Sequence, residues 1–329
     1  LFGGGFARAR SARMFEFRHQ RTTEDLERHA GRETLRVAVT GASGLIGTQL
    51  CAFLGTGGHR VERLVRREAG QGEIRWDPAA GKLDPAALEG VDAVVHLAGE
   101  NVGQRWTPAH KAAVLQSRVD GTRTIARALA QLDRKPRIFV SASAVGYYGD
   151  TGDTLVDESA PNGKGFLAEV CRAWEASADP ARAAGIKVVH PRIGVVLSGA
   201  GGALAEMRTP FSLGVGGPIG GGSQWFPWVA MDDTVGALHH LLYAGLEGPV
   251  NVVAPAPVTQ AEFARVLGKV LHRPAFLPLP GFAVKALFGE MGQGVLLAGQ
   301  RVAPQRLLDS GYRFLRPELE AALRFELGR

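Results

Sequence analysis

The stretch TGASGLIG, residues 40–47, follows the short β-rich run LRVAVT and precedes an apolar segment with helical character. Gly41, Gly44 and Gly47 give it the spacing G-x-x-G-x-x-G. Glycine lets the backbone approach a pyrophosphate closely, and the N–H groups and dipole at a helix N-terminus attract its negative charge. Because a strand, a glycine turn and a helix occur here in order, the sequence predicts a dinucleotide-binding loop rather than a tight turn without a ligand.

Strand-like and helix-like segments alternate over most of the chain. The further predicted strands are RVERLVR (60–66), GEIRWDP (72–78), AVVHLAG (93–99), RIFVSAS (137–143), KVVHPRIGVVL (187–197) and VNVVAP (250–255). Helices are predicted over 108–132, over 166–184 and over 231–245, the last with Asp232 or Asp233 as its N-cap. Apolar runs without alternation are typical of parallel strands covered on both faces. The predicted fold class is therefore α/β, a Rossmann-type doubly wound parallel sheet.

The pattern changes along the chain and suggests several parts. Residues 198–227 are rich in glycine and show no clear period, and the segment from 256 onward is helical and interrupted by proline. We expect a cofactor domain over 35–200, to which 228–255 return. A smaller, mostly helical substrate or C-terminal lobe would comprise 201–227 and 256–329, and residues 1–34 would form an N-terminal extension.

Composition argues against several classes of partner. The chain has 329 residues and a net charge of +6. Eight arginines and five acids give +3 to residues 1–36, and the remaining +3 is spread too thinly for a nucleic-acid surface. No apolar run approaches the roughly 18 residues needed to span a bilayer. The nine histidines show no metal-ligand spacing, and Cys51 and Cys171 are expected to be free thiols in a reducing compartment.

The end of the second predicted strand indicates which dinucleotide is bound. An acid at this position usually holds the ribose 2′-hydroxyl of NAD, but Arg66 and Arg67 stand here instead. Cations suit a 2′-phosphate, so the sequence favours NADP(H). The alternative is that both arginines are solvated surface residues.

A set of motifs resembles one family, the atypical extended short-chain dehydrogenases/reductases called epimerase family proteins or SulA-type nucleotide-sugar epimerases. The resemblance runs from about residue 35 to 325 and is carried by TGASGLIG, HLAGENV, RWTPAHK, SRVDGT, SASAVGYYGD, FLAEVCRAWE, PRIGVVLSGAGGAL, PFSLGVGGPIGGGSQWFPWV and QRVAPQRLLDSGY. It implies a Rossmann domain, a family-specific C-terminal domain, and NADP(H) with a small-molecule substrate such as a nucleotide sugar or a carbonyl compound. The implied cofactor contacts are Gly41, Ser43, Gly44, Leu45, Ile46, Gly47, Arg66, Arg67, Leu97, Ala98, Arg118, Ser141 and Val196.

The catalytic set of ordinary extended members is largely missing. Those members use Asn, Ser, Tyr and Lys, and only the serine has a counterpart, Ser143. Arg118 replaces the Asn. The Tyr-x-x-x-Lys pair falls at Phe166 and Val170 in one alignment, and at Leu167 and Cys171 in the other. Because carbonyl reduction needs a proton donor, another acid must supply the proton or turnover is lost.

Tyr147 and Tyr148 lie just past Ser143 and are the nearest replacement acids. We expect Tyr147 to face the nicotinamide with Ser143, and Tyr148 to contact substrate. Aromatic packing over the cleft is the alternative for both. Arg118 shares an inward-facing helix stripe, where a cofactor group or a buried acid would have to satisfy its charge.

The glycine-rich segment 214–225 resembles a lid or substrate loop, with Gln224 and Trp225 as candidate substrate contacts. A flexible surface loop is the alternative. Two functions thus remain open: an NADP(H)-dependent oxidoreductase or epimerase with a rearranged proton donor, and a non-catalytic NADP(H)-binding sensor or scaffold protein.

The first 34 residues begin with Leu, which is not expected to be a native start. The piece MFEFRHQRTTEDLERH is similar to the end of a START-like domain, which some bacterial members of the family carry in front. The alternative is a transit peptide, because arginine is frequent up to Arg21. The first interpretation implies the bacterial cytoplasm, and the second implies an organelle matrix.

Overall fold

A computed structural model describes residues 3–329, except for the side chains of residues 3–7, 9 and 10. Its centre is a nine-stranded sheet in which all pairs are parallel except the last, β3–β4. The strand order is β13-β9-β6-β5-β1-β2-β3-β4, with β7 also paired to β9. The strands are β1 Arg36–Thr40, β2 Arg60–Val65, β3 Glu73–Asp77, β4 Lys82–Leu83, β5 Ala93–His96, β6 Ile138–Ser141, β7 Ser143–Ala144, β8 Leu155–Val156, β9 Lys187–Ile193, β10 Val195–Leu197, β11 Trp225–Phe226, β12 Trp228–Ala230, β13 Gly248–Val252, β14 Val258–Thr259 and β15 Arg301–Val302.

Helices cover the sheet and build the second lobe. They are α1 Gly3–His29, α2 Leu45–Thr56, α3 Pro108–Ala130, α4 Phe166–Ala176, α5 Asp179–Ala183, α6 Gly202–Ser212, α7 Met231–Leu241, α8 Gln260–Leu271, α9 Gly281–Met291, α10 Gln305–Asp309 and α11 Leu319–Leu327. None of the helices within residues 3–329 combines the length and the apolar character needed to cross a membrane. The predicted α/β class and doubly wound parallel sheet are confirmed.

The topology fixes where a ligand can bind. From β1 the chain winds outward through β2 and β3 in one direction and through β5, β6, β9 and β13 in the other. The crevice between β1 and β5 is therefore the switch point, where open α/β sheets bind ligands at the carboxyl ends of their strands. Register places Thr40, His96 and Ser141 side by side along this edge. Every residue of β5 and β6 is buried, as the apolar runs predicted.

Three local predictions need correction. The helix predicted over 166–184 is two helices, with a break at residues 177–178 ahead of Pro180. Residues 202–212, in the segment without a clear period, form α6, whose interior Pro210 obscured the helical pattern. The N-cap of α7 is Ala230 rather than an aspartate. Asp232 and Asp233 lie in the first helical turn, where a negative charge complements the helix dipole.

The C-terminal lobe has its own core, but the chain does not stay within it. Helices α6, α8 and α11 pack around Trp228 and Phe263, both essentially inaccessible to solvent. The segment that contains α10 leaves this lobe again: Leu307 and Tyr312 are buried in the core of the cofactor domain, together with β1, α2 and α7. Residues 305–314 therefore belong physically to the cofactor domain.

Helix α1 lies against α2 and α7 and is held there by polar contacts. Arg21 pairs with Asp232 at 3.0 Å, and Arg28 pairs with Asp233 at 3.1 Å. Both Nη2–carboxylate contacts of Arg316 with Glu24 measure 2.9 Å. Residues 3–29 of the predicted N-terminal extension therefore form a docked helix, joined to both the cofactor domain and the C-terminal segment.

Candidate functional site

The glycine loop between β1 and α2 has the geometry that a pyrophosphate requires. Gly41 has a φ of +66°, a conformation that favours glycine. A Cβ on Gly41 would lie 2.8 Å from the carbonyl carbon of Leu97, and one on Gly47 would lie 2.1 Å from the carbonyl oxygen of Gly41. Gly44 caps α2 without a side chain, so the N–H groups of the first helical turn point outward with no helical partner. Ser43 and Gly44 are exposed, and Leu45 and Ile46 are half-buried.

Beneath this loop, one hydroxyl joins the two strands of the switch point. Thr40 Oγ1 accepts hydrogen bonds from the backbone N–H groups of Leu97 and Ala98 at 3.2 and 3.3 Å. Its own hydrogen points to His96 Nδ1 at 2.7 Å, which leaves the proton of the neutral imidazole on Nε2. His96 is fully buried, and burial lowers its pKa to about 3. The predicted cofactor contacts Leu97 and Ala98 are thus held against the turn at Gly41.

The two arginines after β2 have different environments. Arg67 donates two hydrogen bonds of 2.7 Å to the carboxylate of Glu73. Arg66 is exposed and makes no hydrogen bond or ion pair with any residue that the structure describes. Of the two predicted contacts, Arg66 is therefore the one whose charge is available to a ligand.

Arg118 is half-buried on α3, and one of its nitrogens is hydrogen-bonded to backbone carbonyls. Its Nη1 donates to the carbonyls of Glu100 and Val114 at 3.0 and 3.1 Å, and its guanidinium lies 4.8 Å from the centre of the Trp174 ring. Burial lowers the pKa of this guanidinium. The group packs against Gly99, next to the loop that follows β5. No side-chain carboxylate among the described residues bonds to it, and a cofactor group stays the predicted partner for its remaining N–H groups.

Helix α4 shows what replaces the Tyr-x-x-x-Lys pair. Phe166 packs edge-to-face against Trp106 with ring centres 4.9 Å apart, and Leu167 packs over Gly146. Val170 is buried, and burial raises the pKa of the Cys171 thiol to about 11. No side chain at these four positions can exchange a proton near neutral pH.

The same helix supplies an acid one turn further on. Ser143 Oγ donates a hydrogen bond of 2.7 Å to Glu175 Oε1. Arg192, on β9, grips this carboxylate through Nε at 2.8 Å and Nη2 at 2.9 Å. Although burial opposes its charge, Glu175 keeps the pKa of Arg192 above its ordinary value. Since Ser143 and Arg192 are register partners at the strand ends, this triad lies at the edge of the sheet where the cofactor crevice opens.

Arg192 also separates the roles of the two tyrosines. Its guanidinium lies 3.4 Å from the centre of the Tyr147 ring, and Nη1 donates to the Tyr148 hydroxyl at 3.0 Å. Tyr148 is buried, donates to Asn251 Oδ1 at 2.7 Å, and has its pKa raised to about 12 by burial. This corrects the prediction of a substrate contact, because the Tyr148 hydroxyl already makes its hydrogen bonds with Asn251 and Arg192 inside the protein. The Tyr147 hydroxyl makes no hydrogen bond within residues 3–329.

The end of the glycine-rich segment is held by contacts with Leu296 and Arg301 and with the loop at Asp153. Gln224 Nε2 donates to the carbonyls of Ile219 and Leu296, both at 2.9 Å. Trp225 Nε1 donates to Asp153 at 3.0 Å, and the guanidinium of Arg301 stacks on the Trp225 ring at 4.3 Å. Both predicted substrate contacts are therefore engaged in holding the loop, which does not fit a free surface loop.

The last two predicted cofactor contacts lie near the crevice. Ser141 is buried at the end of β6, and its Oγ has no partner among the described residues. Val196 is half-buried on β10, opposite Val229. Glu175 and Arg192 are not among the predicted site residues, because the two are 17 residues apart in the sequence and only the fold pairs them.

Three histidines that no spacing rule connects also meet. His29, His59 and His239 each direct one ring nitrogen toward the others, with these atoms all within 4.8 Å of one another. The sequence-based expectation of no metal-ligand cluster rested on local spacing, which cannot detect residues brought together from three elements.

Taken together, the parallel sheet, its switch point and the glycine loop define a dinucleotide-binding α/β protein. Residues 37–254 match the model of the NAD dependent epimerase/dehydratase family, and residues 279–326 match a domain of unknown function (DUF1731). The chain therefore belongs to the NAD dependent epimerase/dehydratase family.

Several relatives match over nearly the whole of their own chains. Epimerase family protein Mb2239 of Mycobacterium bovis is 45% identical over 296 residues, which are 89% of this chain and 98% of the relative. The human epimerase family protein SDR39U1 is 42% identical over 88% of this chain and 99% of its own. A crystal structure of human SDR39U1 (isoform2) with NADPH has a TM-score of 0.80 and covers 88% of this chain and 98% of that one, at 40% identity.

A nucleoside-diphosphate sugar epimerase from Corynebacterium glutamicum is also similar. Its crystal structure has a TM-score of 0.80 at 38% identity, and the match covers 96% of this chain but 64% of that one. More distant structures, such as a UDP-glucose 4-epimerase of Thermus thermophilus in complex with NAD at 20% identity, share the fold alone.

Proposed function

We propose that this protein binds NADP(H) across the β1–β5 crevice, with the pyrophosphate on the Gly41–Gly47 loop and the 2′-phosphate on Arg66. The observation that carries the proposal is the exposed guanidinium of Arg66 at the end of β2, where no carboxylate competes for it. The human relative crystallised with NADPH supports the same choice of cofactor. Thr40 and His96 would keep the turn at Gly41 and the backbone at Leu97 in place.

Calorimetric titration with NADPH and with NADH tests this assignment. The wild type should prefer NADPH by roughly ten- to hundredfold, because a charge-assisted hydrogen bond contributes about 1.5–3 kcal/mol. Arg66→Ala should abolish the preference. Arg67→Ala is the matched control. It should lose less of the preference for NADPH, because the Arg67 guanidinium is already paired with Glu73. Equal wild-type affinities for the two cofactors would refute the assignment.

We further propose an oxidoreductase or nucleotide-sugar epimerase chemistry on a small carbonyl compound or nucleotide sugar. Bound NADPH would supply the hydride. Ser143 directs its hydrogen to Glu175, so its Oγ can accept a hydrogen bond from the hydroxyl of an alcohol substrate in the reverse, oxidising direction. The Tyr147 hydroxyl, which has no hydrogen-bond partner among the described residues, would donate the proton, while Arg192 fixes its ring.

The hydrogen bond to Glu175 would also allow Ser143 to relay a proton. In the alcohol-oxidising direction, bound NADP⁺ would accept the hydride, and a substrate proton passed to Ser143 Oγ can be matched by transfer of the serine proton to Glu175 Oε1 over 2.7 Å. The helix that lacks the Tyr-x-x-x-Lys pair would then still provide the ionisable group at the site. Glu175 is accordingly proposed as a positioning residue that acts through Ser143.

Single-turnover oxidation of bound NADPH against aldehydes, ketones and nucleotide sugars tests the chemistry. Tyr147→Phe should slow the reaction by about two to four decades, the range for a lost general acid. Tyr243→Phe, which loses a hydroxyl bonded to the Glu33 carbonyl outside the crevice, is the control and should keep the wild-type rate. If Tyr147→Phe and Ser143→Ala both retain full activity, the assignment is wrong.

A non-catalytic NADP(H) sensor or scaffold is the second candidate. The observation in its favour is the apolar character of the four positions that would carry Tyr and Lys. Tight NADPH binding with no turnover of any panel compound would select it. The two buried free thiols, Cys51 and Cys171, support a reducing compartment such as the bacterial cytoplasm for either function.

A further inference from the structure

Three imidazole rings from distant parts of the chain form one cluster at the C-terminal end of α1. His29 is the last residue of α1, His59 precedes β2, and His239 lies on α7. Ring centres are 5.3 Å apart for His29 and His59, 4.6 Å for His29 and His239, and 5.5 Å for His59 and His239. We call these residues the imidazole cluster. It is distinct from the Ser143–Glu175–Arg192 triad in both residues and elements.

Each ring of the imidazole cluster has a buried nitrogen without a partner in the described part of the chain. These atoms are Nδ1 of His29, Nε2 of His59 and Nε2 of His239. A buried polar atom without a hydrogen bond is costly. The three histidines also offer one ring nitrogen each to a set whose members all lie within 4.8 Å of one another. From the geometry we infer that the imidazole cluster is a binding site for a divalent transition metal of the zinc class.

The ring spacing fits a tetrahedral ion. At a zinc–nitrogen distance of about 2.0–2.1 Å, two ligand nitrogens lie about 3.4 Å apart and their ring centres about 5.2 Å apart. The three centre-to-centre distances bracket that value. Three neutral imidazoles without a thiolate or carboxylate suit Zn²⁺, Ni²⁺, Co²⁺ or Cu²⁺, and they do not suit Mg²⁺ or Ca²⁺, which prefer oxygen.

His29 is already in the protonation state that a metal requires. Its Nε2 lies 3.0 Å from the Phe53 carbonyl, which can only accept, so Nε2 carries the proton and Nδ1 keeps its lone pair. A backbone carbonyl behind the ligand ring is a common support for metal-binding histidine. Gly57 makes room for this ring, because a Cβ there would lie 2.2 Å from His29 Nδ1.

His59 must change its hydrogen bonding to join the site. Its Nδ1 accepts from the Leu35 N–H at 3.0 Å, so the neutral ring carries its proton on Nε2, the atom that faces the cluster. Binding through Nε2 would give up that single backbone hydrogen bond. His29 and His239 are therefore the principal ligands, and His59 completes the set at a cost in affinity.

Charge determines what occupies the fourth position. The positive charges of Arg32 and Arg28 lie close enough to His239 to disfavour its protonated form. Arg32 also stacks on the nearby Tyr243 ring, with its guanidinium 5.0 Å from the ring centre. Two cations beside a dication favour an anionic fourth ligand such as hydroxide or chloride. His29 ends α1, whereas His59 and His239 belong to the cofactor domain. A bound ion would therefore link this helix to that domain.

Protein stripped with a chelator and titrated with Co²⁺ gives the direct test. One equivalent should produce the visible absorption of tetrahedral cobalt, Zn²⁺ should displace it, and Mg²⁺ should not. Zn²⁺ should also raise the unfolding temperature. His29→Gln and His239→Gln should each weaken metal binding by more than about 100-fold. Loss of a residue that only supports a ligand weakens binding by at most about 100-fold, so a larger effect identifies a direct ligand.

Matched controls separate this site from adventitious binding. His240→Gln changes the next residue on α7, whose ring bonds Ser310 instead, and His19→Gln removes an exposed histidine of α1. Both should keep wild-type affinity, and circular dichroism without metal should show all variants folded. Absence of one-equivalent binding in the wild type, or binding that survives the His29→Gln/His239→Gln double variant, would overturn the inference. None of these readouts depends on the proposed enzymatic function.

Discussion

The guanidinium of Arg28 occupies the space that a side chain on Gly236 would fill. A Cβ atom on Gly236 would lie 0.9 Å from Arg28 Nη1 and 2.8 Å from the Tyr312 hydroxyl. In this slot Arg28 reaches the Asp232 carbonyl at 3.2 Å and the Asp233 carboxylate at 3.1 Å. Helix α7 thus contains a slot, at Gly236, that the side chain of Arg28 from α1 fills.

Gly236→Ala should therefore displace Arg28 and loosen α1. We expect a loss of about 1–3 kcal/mol in the free energy of unfolding, because hydrogen bonds to charged groups are lost and Asp233 loses its arginine. Urea unfolding measures the change. The same substitution at Gly55, a helical glycine of α2 with no atom within 4 Å of the added Cβ, should be neutral or slightly stabilising. In the double variant with Arg28→Ala the two losses should not add.

Gly47→Ala should impair the cofactor loop. The new Cβ would stand 2.1 Å from the Gly41 carbonyl oxygen, so the loop must move away from the start of α2. NADPH affinity should fall by at least about tenfold, as expected when about 1.4 kcal/mol of binding is lost. Isothermal titration against the Gly55→Ala control tests this, and an unchanged affinity would show that the close approach is not needed.

Glu175→Ala should cost far more stability than Ser143→Ala. Removing the carboxylate leaves the Arg192 guanidinium buried without its ion-pair partner, which costs about 3–5 kcal/mol, whereas losing the serine hydroxyl removes one hydrogen bond of about 1 kcal/mol. Chemical denaturation of both variants gives the comparison. Glu169→Ala on the exposed side of α4 serves as the control. Equal losses at Glu175 and Glu169 would mean that the pair contributes no stability.

Acidification should destabilise the protein through histidines that are buried in the neutral form. Burial lowers the pKa of His96 to about 3 and that of His190 to about 4, compared with about 6.5 in the unfolded chain. Both stay neutral in the folded state while the unfolded state takes up protons. Their contribution is therefore complete above about pH 6.5 and is lost as the pH falls toward 4.

At pH 5 the expected loss is about 1–2 kcal/mol for each of these histidines. Urea midpoints at pH 7.5 and 5 in a chelating buffer measure it. His96→Gln should reduce the pH dependence, whereas substitution of the exposed His19 should leave it unchanged. A midpoint that stays constant over this range would contradict the prediction.

The sequence allowed prediction of the features that local patterns encode. The β1 strand, the turn at Gly41 and helix α2 follow from residues adjacent along the chain, and so does the tip of β2 with Arg66. The empty catalytic positions at Phe166 and Val170 could also be recognised, because their identity alone excludes proton transfer.

Other features depend on contacts that the sequence does not show. Arg192 lies beside Ser143 because β9 runs next to β7, and Glu175 reaches both from α4. The Tyr148 hydroxyl finds its partner Asn251 on β13. Asp233 resembled a helix cap, yet it accepts from the backbone N–H groups of Leu315 and Arg316, both at 2.8 Å. In each case the partner lies too far along the chain for spacing to indicate it.

The docking of α1 sets a constraint on the order in which the chain can fold. Glu24 is made 292 residues before its partner Arg316, and Arg28 is made 205 residues before Asp233. During synthesis the charged side chains of α1 must therefore wait for distant partners: Arg21 and Arg28 can pair only once α7 has been made. Glu24 must wait longer, until the segment around Arg316 follows. The full set of contacts that holds α1 thus forms only after residues 231–316 have folded into place.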